Sequence, residues 1–223
     1  MFVGHLAVAL ASKRIRPEVS LAWYVGAATT LDLLWPVFLL LGVERVSIVP
    51  GATAFTPLVF DSYPWSHSLV MAVIWGATLA AIGRWRGVAS FSAFLIGLLV
   101  VSHWVLDLIT HVEDLPLWPG GLSRFGLGLW NSIPGTLGVE GVVWVAALVL
   151  YLKSRRSTRW QGTVAFWSLV IISTIMWALG PWSPPPPTPR TLAWFALIGW
   201  LLVPWSAFFD GRYAVRTATV TSA

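Results

Sequence analysis

The chain has 223 residues, of which 57% are hydrophobic and 10% charged, with a mean hydropathy of +0.77. A soluble domain carries about a quarter charged residues, so the composition excludes one and implies a single integral membrane domain over 1–223. There is no Cys, which excludes disulfides, thiolate metal ligands and a Cys nucleophile.

The net charge of +5 is gathered into short clusters. These are Lys13/Arg14/Arg16, Arg84/Arg86, Lys153/Arg155/Arg156/Arg159 and Arg212/Arg216, while Arg45, Arg124 and Arg190 stand alone. Clusters that alternate with the intervening loops follow the positive-inside rule. They are therefore read as topology signals, and no nucleic-acid partner is expected.

Taken in order, Met1 to Ser12 is apolar but too short to cross about 30 Å of hydrocarbon. It reads as an interfacial or re-entrant helix. Its apolar run precedes its basic cluster, the reverse of a cleaved signal peptide. Val19 to Leu41 reads as a spanning helix, with Asp32 and Pro36 inside it and a kink expected from the proline. Gly42 to Trp65 is rich in Pro, Gly and Thr. It reads as a long outer loop with a short interfacial or re-entrant piece near Ala54 to Phe60.

Ser66 to Gly83 returns inward and Val88 to Thr110 travels outward. His111 to Ile133 is a Gly- and Trp-rich stretch, long enough to be an ordered interfacial flap. Pro134 to Leu152, Thr163 to Gly180 and Leu192 to Phe209 complete about six spans, with SPPPPTP at 183–189 as a stiff polyproline-like connector. The expected fold is all-α, a polytopic helical bundle with its C-terminus cytoplasmic. Residues 1–120 carry the polar groups. Residues 134–209 read as scaffold, and the last two helices, free of ionisable residues, suit a lipid-facing or homo-oligomer surface.

The stretch GLLVVSHWVLDLITH at 97–111 places His103, Asp107 and His111 at successive spacings of four on an apolar helix. Such spacing aligns side chains about 6 Å apart along the axis, and ionisable groups in an apolar membrane helix are functional candidates. Asp32 lies roughly 22 Å along its helix from Pro17, and His103 roughly 24 Å from Gly87. His67 starts its helix on the outer side. All therefore reach a similar outer-leaflet depth. His5 joins them if the N-terminal helix enters the bundle.

Imidazole and carboxylate are ligands for zinc, with manganese or iron as alternatives. The candidate metal ligands are thus His5, Asp32, His67, His103, Asp107 and His111, for one or two divalent ions. Such an ion lowers the pKa of a bound water to near 7 and so supplies a nucleophile. Asp61 and Glu113 are the candidate general bases. Arg124, Ser68, Asn131 and Trp118 are candidate substrate contacts, although serines at a helix start commonly cap it and a single interfacial Arg commonly snorkels. Glu140 is buried by position and either faces the site or pairs with a hydroxyl.

With His5, Asp32, Ser66-His67-Ser68 and His103 followed by Asp107 in view, residues 1–120 resemble the membrane-bound metal-dependent hydrolases of bacteria and archaea. Members carry an early His, an Asp step near the second helix, an HS motif, an H-x-x-x-D helix and then a Pro-containing turn, matched here by Leu117-Trp118-Pro119. The chain departs from the family in having Thr29-Thr30-Leu31-Asp32 for its Pro-Asp-x-Asp step, and Asp61-Ser62-Tyr63-Pro64-Trp65 before the HS motif. The resemblance, distant also to zinc-dependent phospholipases, implies an inner-membrane enzyme that hydrolyses a lipid or lipid-linked phosphoester or ester near the outer leaflet. A metal-ion or proton transporter using the same cluster is the alternative, and a non-catalytic structural or regulatory membrane protein is a third.

Overall fold

The structure is a computed structural model that describes residues 1–215, so Arg216 of the last basic cluster lies outside the described residues. The helices are α1 (Val3–Ile15), α2 (Leu21–Ala28), α3 (Thr30–Leu40), α4 (Pro64–His67), α5 (Leu69–Trp85), α6 (Ser90–Thr110), α7 (Ile133–Ser154), α8 (Trp160–Leu179), α9 (Pro189–Ala196) and α10 (Leu202–Asp210). Three two-stranded ribbons pair β1 (Arg45–Ile48) with β2 (Leu58–Ser62), β3 (Leu115–Pro116) with β4 (Arg124–Phe125), and β5 (Arg155–Ser157) with β6 (Tyr213–Val215).

Among the described residues, four helical segments are long and apolar enough to cross a membrane: Ser90–Thr110, Ile133–Ser154, Trp160–Trp182 and Pro189–Asp210. The bent pair α2–α3 makes a fifth if taken as one broken span, and α5 is a shorter apolar helix of 17 residues. The expected six spans thus reduce to four or five by length and composition.

The break between α2 and α3 bends the path by 54°, and it falls at Thr29, not at Pro36, which sits inside α3. Side-chain hydroxyls explain the position. Thr29 Oγ1 donates to the Val25 carbonyl at 2.7 Å and Thr30 Oγ1 to the Gly26 carbonyl at 2.6 Å. Hydroxyls that bond back into the preceding turn bend helices.

Helix α1 is buried along most of its length and packs on α2 and α7 inside the bundle. Its 13 residues extend about 20 Å, too short to span. Its N-terminus is received by α7, where Glu140 Oε2 accepts from the amides of Phe2 (3.0 Å) and Gly4 (3.4 Å). A carboxyl group at that position satisfies orphan N–H groups and opposes the helix dipole. At the other end, Lys13 Nζ meets Asp210 Oδ2 at 2.7 Å and also donates to the Val19 carbonyl.

Helices α5 and α6 approach closely at Gly76 and Gly97. A Cβ on Gly76 would lie 2.7 Å from the Gly97 carbonyl oxygen, so only glycine permits this contact, a device common between membrane helices. It holds the helix bearing His103 against the one that follows His67.

The loop Gly42 to Trp65 is a β-hairpin with no interfacial helix near Ala54. Its tip docks on the following flap through the Phe55 amide and the Trp130 carbonyl, 3.0 Å apart. The flap is itself pinned to the end of α6, with Leu127 N donating to Leu108 O (2.8 Å) and Gly128 N to His111 O (2.7 Å). Close approach again requires glycine: a Cβ on Gly126 would collide with the Val112 carbonyl.

Candidate metal centre

Four elements bring the polar residues together at one end of the bundle. Helix α1 contributes His5, α3 contributes Asp32 in its first turn, α4 contributes His67, and α6 contributes His103 and Asp107. His5, His67, His103 and Asp107 are buried, whereas the Asp32 side chain is 44% exposed and forms the open edge of the group. His5 and His103 stack with ring centroids 3.6 Å apart and planes 5° from parallel.

Two sets of ligand atoms lie within 4.8 Å of one another: Asp32, His67 and His103 in one, His5, His103 and Asp107 in the other. The hydrogen bonds behind them decide which atoms face inward. His103 Nδ1 lies 2.7 Å from the Ala28 carbonyl at the α2–α3 break. A carbonyl only accepts, so Nδ1 carries the proton and Nε2 presents a lone pair in the neutral ring. That Nε2 has no hydrogen-bond partner among the described residues.

His67 is oriented by a relay. Glu44 Oε1 accepts from the amides of Trp65 and Ser66, both at 2.8 Å, and Oε2 accepts from Ser66 Oγ at 2.7 Å. The single Ser66 hydroxyl proton is thereby committed to Glu44. Ser66 Oγ then accepts from His67 Nδ1–H at 2.7 Å, which turns the bare Nε2 of His67 toward the cluster. Burial raises the Glu44 carboxyl above its usual range, and its three donors pull in the opposite direction.

Each of these two imidazoles lies near both carboxylates. His67 Nε2 lies 3.5 Å from Asp32 Oδ1 and 3.8 Å from Asp107 Oδ2, and His103 Nε2 lies 3.7 Å and 3.1 Å from the same two oxygens. Asp32 and Asp107 fall in different ligand sets, so three ligand atoms, not four, converge in each. The other oxygen of Asp107, Oδ1, is engaged by His5 Nε2 at 3.1 Å and by the Met1 amino group at 2.5 Å. Because His103 offers only one free nitrogen, the two ligand sets compete for it.

A polar cavity of about 180 Å³ opens beside the cluster, bounded by Asp32, His67, Asp107 and Glu140 and roofed by Phe60 and Trp130. Glu140 Oε1 has no hydrogen-bond partner among the described residues.

His111 lines the same cavity, yet it belongs to neither ligand set. Helix α6 ends at Thr110, and His111 is extended (φ −64°, ψ 152°), so the spacing of four stops tracking one face. Its Nδ1 lies 2.9 Å from Asp114 Oδ1 and 3.2 Å from Tyr63 Oη, and Tyr63 Oη donates to Asp114 at 2.6 Å. Its ring lies 4.1 Å from that of Trp130. Burial lowers the His111 pKa against the pull of Asp114 and raises that of Tyr63.

The expected bases and substrate contacts lie elsewhere. Strand alternation in β2 turns Phe60 inward, 4.9 Å from the His111 ring, and Asp61 outward, where Ser47 Oγ donates to it at 2.7 Å. Glu113 is exposed. Ser68 caps α5, accepting from the Met71 amide at 3.3 Å. Arg124 is exposed and donates to the Gly121 carbonyl at 2.6 Å, and Trp118 and Asn131 face outward on the flap. Among the described residues, none of these six lines the polar cavity.

Sequence reasoning overlooked Glu44 and Tyr63, because a loop Glu and a Tyr carry no helical spacing. The Ser66-His67 pair was visible in the sequence, but its partner Glu44 lies 22 positions away. No family model, curated protein or solved structure matches the chain.

Proposed function

We propose that this chain is a membrane-embedded, metal-dependent hydrolase of lipid or lipid-linked phosphoesters, with its site toward the outer leaflet. One observation carries the reading. His67, His103 and Asp32 present three ligand atoms to a common point, with Asp107 Oδ2 3.1 Å from His103 Nε2 and each imidazole Nδ1 engaged on the far side. Lone pairs facing one another in a low-dielectric interior repel strongly, and a divalent cation is the counter-charge that matches N/O ligands in this arrangement. Zinc is the ion that these N/O ligands suit best.

In this reading Asp32, His67 and His103 would hold one ion, with Asp107 beside His103 and His5 steadying the outer oxygen of Asp107. Such an ion would supply Lewis acidity and lower the pKa of a bound water. Glu140 replaces Asp61 and Glu113 as the proton carrier. Its Oε1 takes a proton from the attacking water and returns it to the departing alkoxide as the ester P–O bond breaks. The aromatic roof of Phe60 and Trp130 restricts bulk water. Counting α5 and the broken α2–α3 gives six crossings in this reading, and the positive-inside rule favours a cytoplasmic position for the opposite, basic end.

The test is elemental analysis of protein purified gently in detergent, wild type beside His103→Ala and Asp107→Ala. One equivalent of zinc in the wild type, lost in both variants, is the expected result. A folded wild type that takes up no divalent metal on reconstitution overturns the reading. Metal-loaded protein that releases no head group from any long-chain phosphoester removes the hydrolase and leaves a metal-binding membrane protein.

A further inference from the structure

A second cavity, of about 440 Å³, lies between α3, α8 and the α9–α10 segment. Apart from Thr29, Asp32 and Ser173, its walls are apolar or aromatic, with one glycine. Thr29 has already committed its hydroxyl to Val25, so the polar wall groups left are Ser173 and the carboxylate Asp32. The two cavities share three wall residues, Phe2, Asp32 and Trp35. The apolar chamber therefore ends on the open edge of the His/Asp cluster. At this junction the buried indole N–H of Trp35 has no hydrogen-bond partner among the described residues.

Helices α8 and α9–α10 leave their outer sides apolar and exposed, including Ile172, Met176, Ile198 and Leu201 on the rim of this chamber. In a bilayer that rim faces acyl chains. Between Leu197 and Leu201 the last span narrows to a 3-10 stretch, and the chamber lies behind it. The volume falls in the range of ligand pockets, which are mainly apolar with a few polar groups that fix orientation.

We infer that this chamber holds one hydrocarbon chain of a membrane lipid, entering sideways between α8 and α9–α10, with the lipid's phosphate-bearing head in the polar cavity and its ester region beside Trp35. The inference rests on the proposed metal site only for the position of the head group. A general lipid-coated crevice is the contrasting case, and the molecule contains a comparison. Another apolar cavity of about 500 Å³, lined by Trp23, Trp75 and Trp200 among others, touches no member of the His/Asp cluster.

The experiment uses the full chain reconstituted in phosphatidylcholine vesicles doped with phosphatidic acid carrying a diazirine in the distal half of one acyl chain. Adducts are mapped by mass spectrometry after illumination. Expected adducts fall on the buried wall residues Leu169 and Ser173 and on Trp205. They should drop at least about fivefold, or roughly 1 kcal/mol, in each of two single variants that fill the chamber, Ala196→Phe and Gly199→Leu. Gly199 accepts a side chain, since its Cβ would stand 3.6 Å from Leu33 Cδ2. Labelling around Trp75 should not change.

Adducts confined to outward-facing residues and the Trp75 crevice, or cavity adducts unaffected by both variants, overturn the chain site. Metal content of the same samples separates the two ideas. Zinc retained without chamber adducts rejects this inference alone, whereas chamber adducts without zinc reject the hydrolase and support the chain site as a lipid-binding one.

Discussion

At the scale of single residues, the candidate site depends on where protons sit. His103 and His67 both turn a bare Nε2 inward because Nδ1 is engaged, in one case by a backbone carbonyl and in the other by Ser66. The Ser66 relay is the more testable, since a hydroxyl can be deleted with little change in volume. Ser66→Ala frees His67 to rotate and leaves Glu44 one donor short. Zinc affinity is expected to fall about 10- to 100-fold, the usual effect of losing a supporting contact to a ligand, which a chelator competition titration would measure. Wild-type affinity in that variant would show that the relay plays no part in orienting the ligand. The spacing of His103 and Asp107 was legible in the sequence because both lie within α6. His111 falls outside both ligand sets because the spacing of four has meaning only while the helix continues, and α6 stops one residue earlier.

At the scale of elements, two devices align the ligands. The hydroxyls of Thr29 and Thr30 break the first long apolar run, which puts Asp32 at the start of a new helix and leaves Ala28 O to receive His103. The Gly76–Gly97 contact sets the distance between α5 and α6. Gly76→Val would press a branched side chain onto a backbone carbonyl and force the two helices apart. A cost of about 1–3 kcal/mol is expected from overpacking, seen as a lower melting temperature in detergent together with weakened zinc retention. An unchanged melting temperature would mean that the pair can separate without cost. A threonine pair reads in sequence as ordinary apolar-helix filling, whereas a proline invites the expectation of a kink. Pro36 instead lies within the helix, and the bend is at the hydroxyls.

Across the whole molecule, the short first helix is the axis. One end meets Glu140 of α7 and Asp107 of α6, and the other is held through Lys13 by Asp210 of α10. Asp210 also accepts from the Leu21 amide at 2.9 Å and from Arg155 Nη2 at 3.3 Å. Lys13→Met removes one partner of a buried ion pair, a change that typically costs about 3–5 kcal/mol. The expected outcome is a markedly lower melting temperature with the zinc stoichiometry unchanged, because the cluster is at the opposite end of α1. Loss of zinc in folded Lys13→Met protein would show instead that the two ends are coupled.

Composition, the apolar runs and the placement of basic clusters were enough to determine a helical membrane bundle and to single out His5, Asp32, His67, His103 and Asp107. These are local or one-dimensional properties: hydrophobic length, helical period, and charges too costly to leave unexplained in lipid. Which nitrogen of each histidine faces inward, the isolation of Asp61 and Glu113, the position of Glu140 and the chamber beside Asp32 were decided only in three dimensions. Each depends on contacts between residues far apart in the chain, such as Glu44 with Ser66, Ala28 with His103 and Phe2 with Glu140, and no periodicity along the chain encodes a hydrogen bond across it.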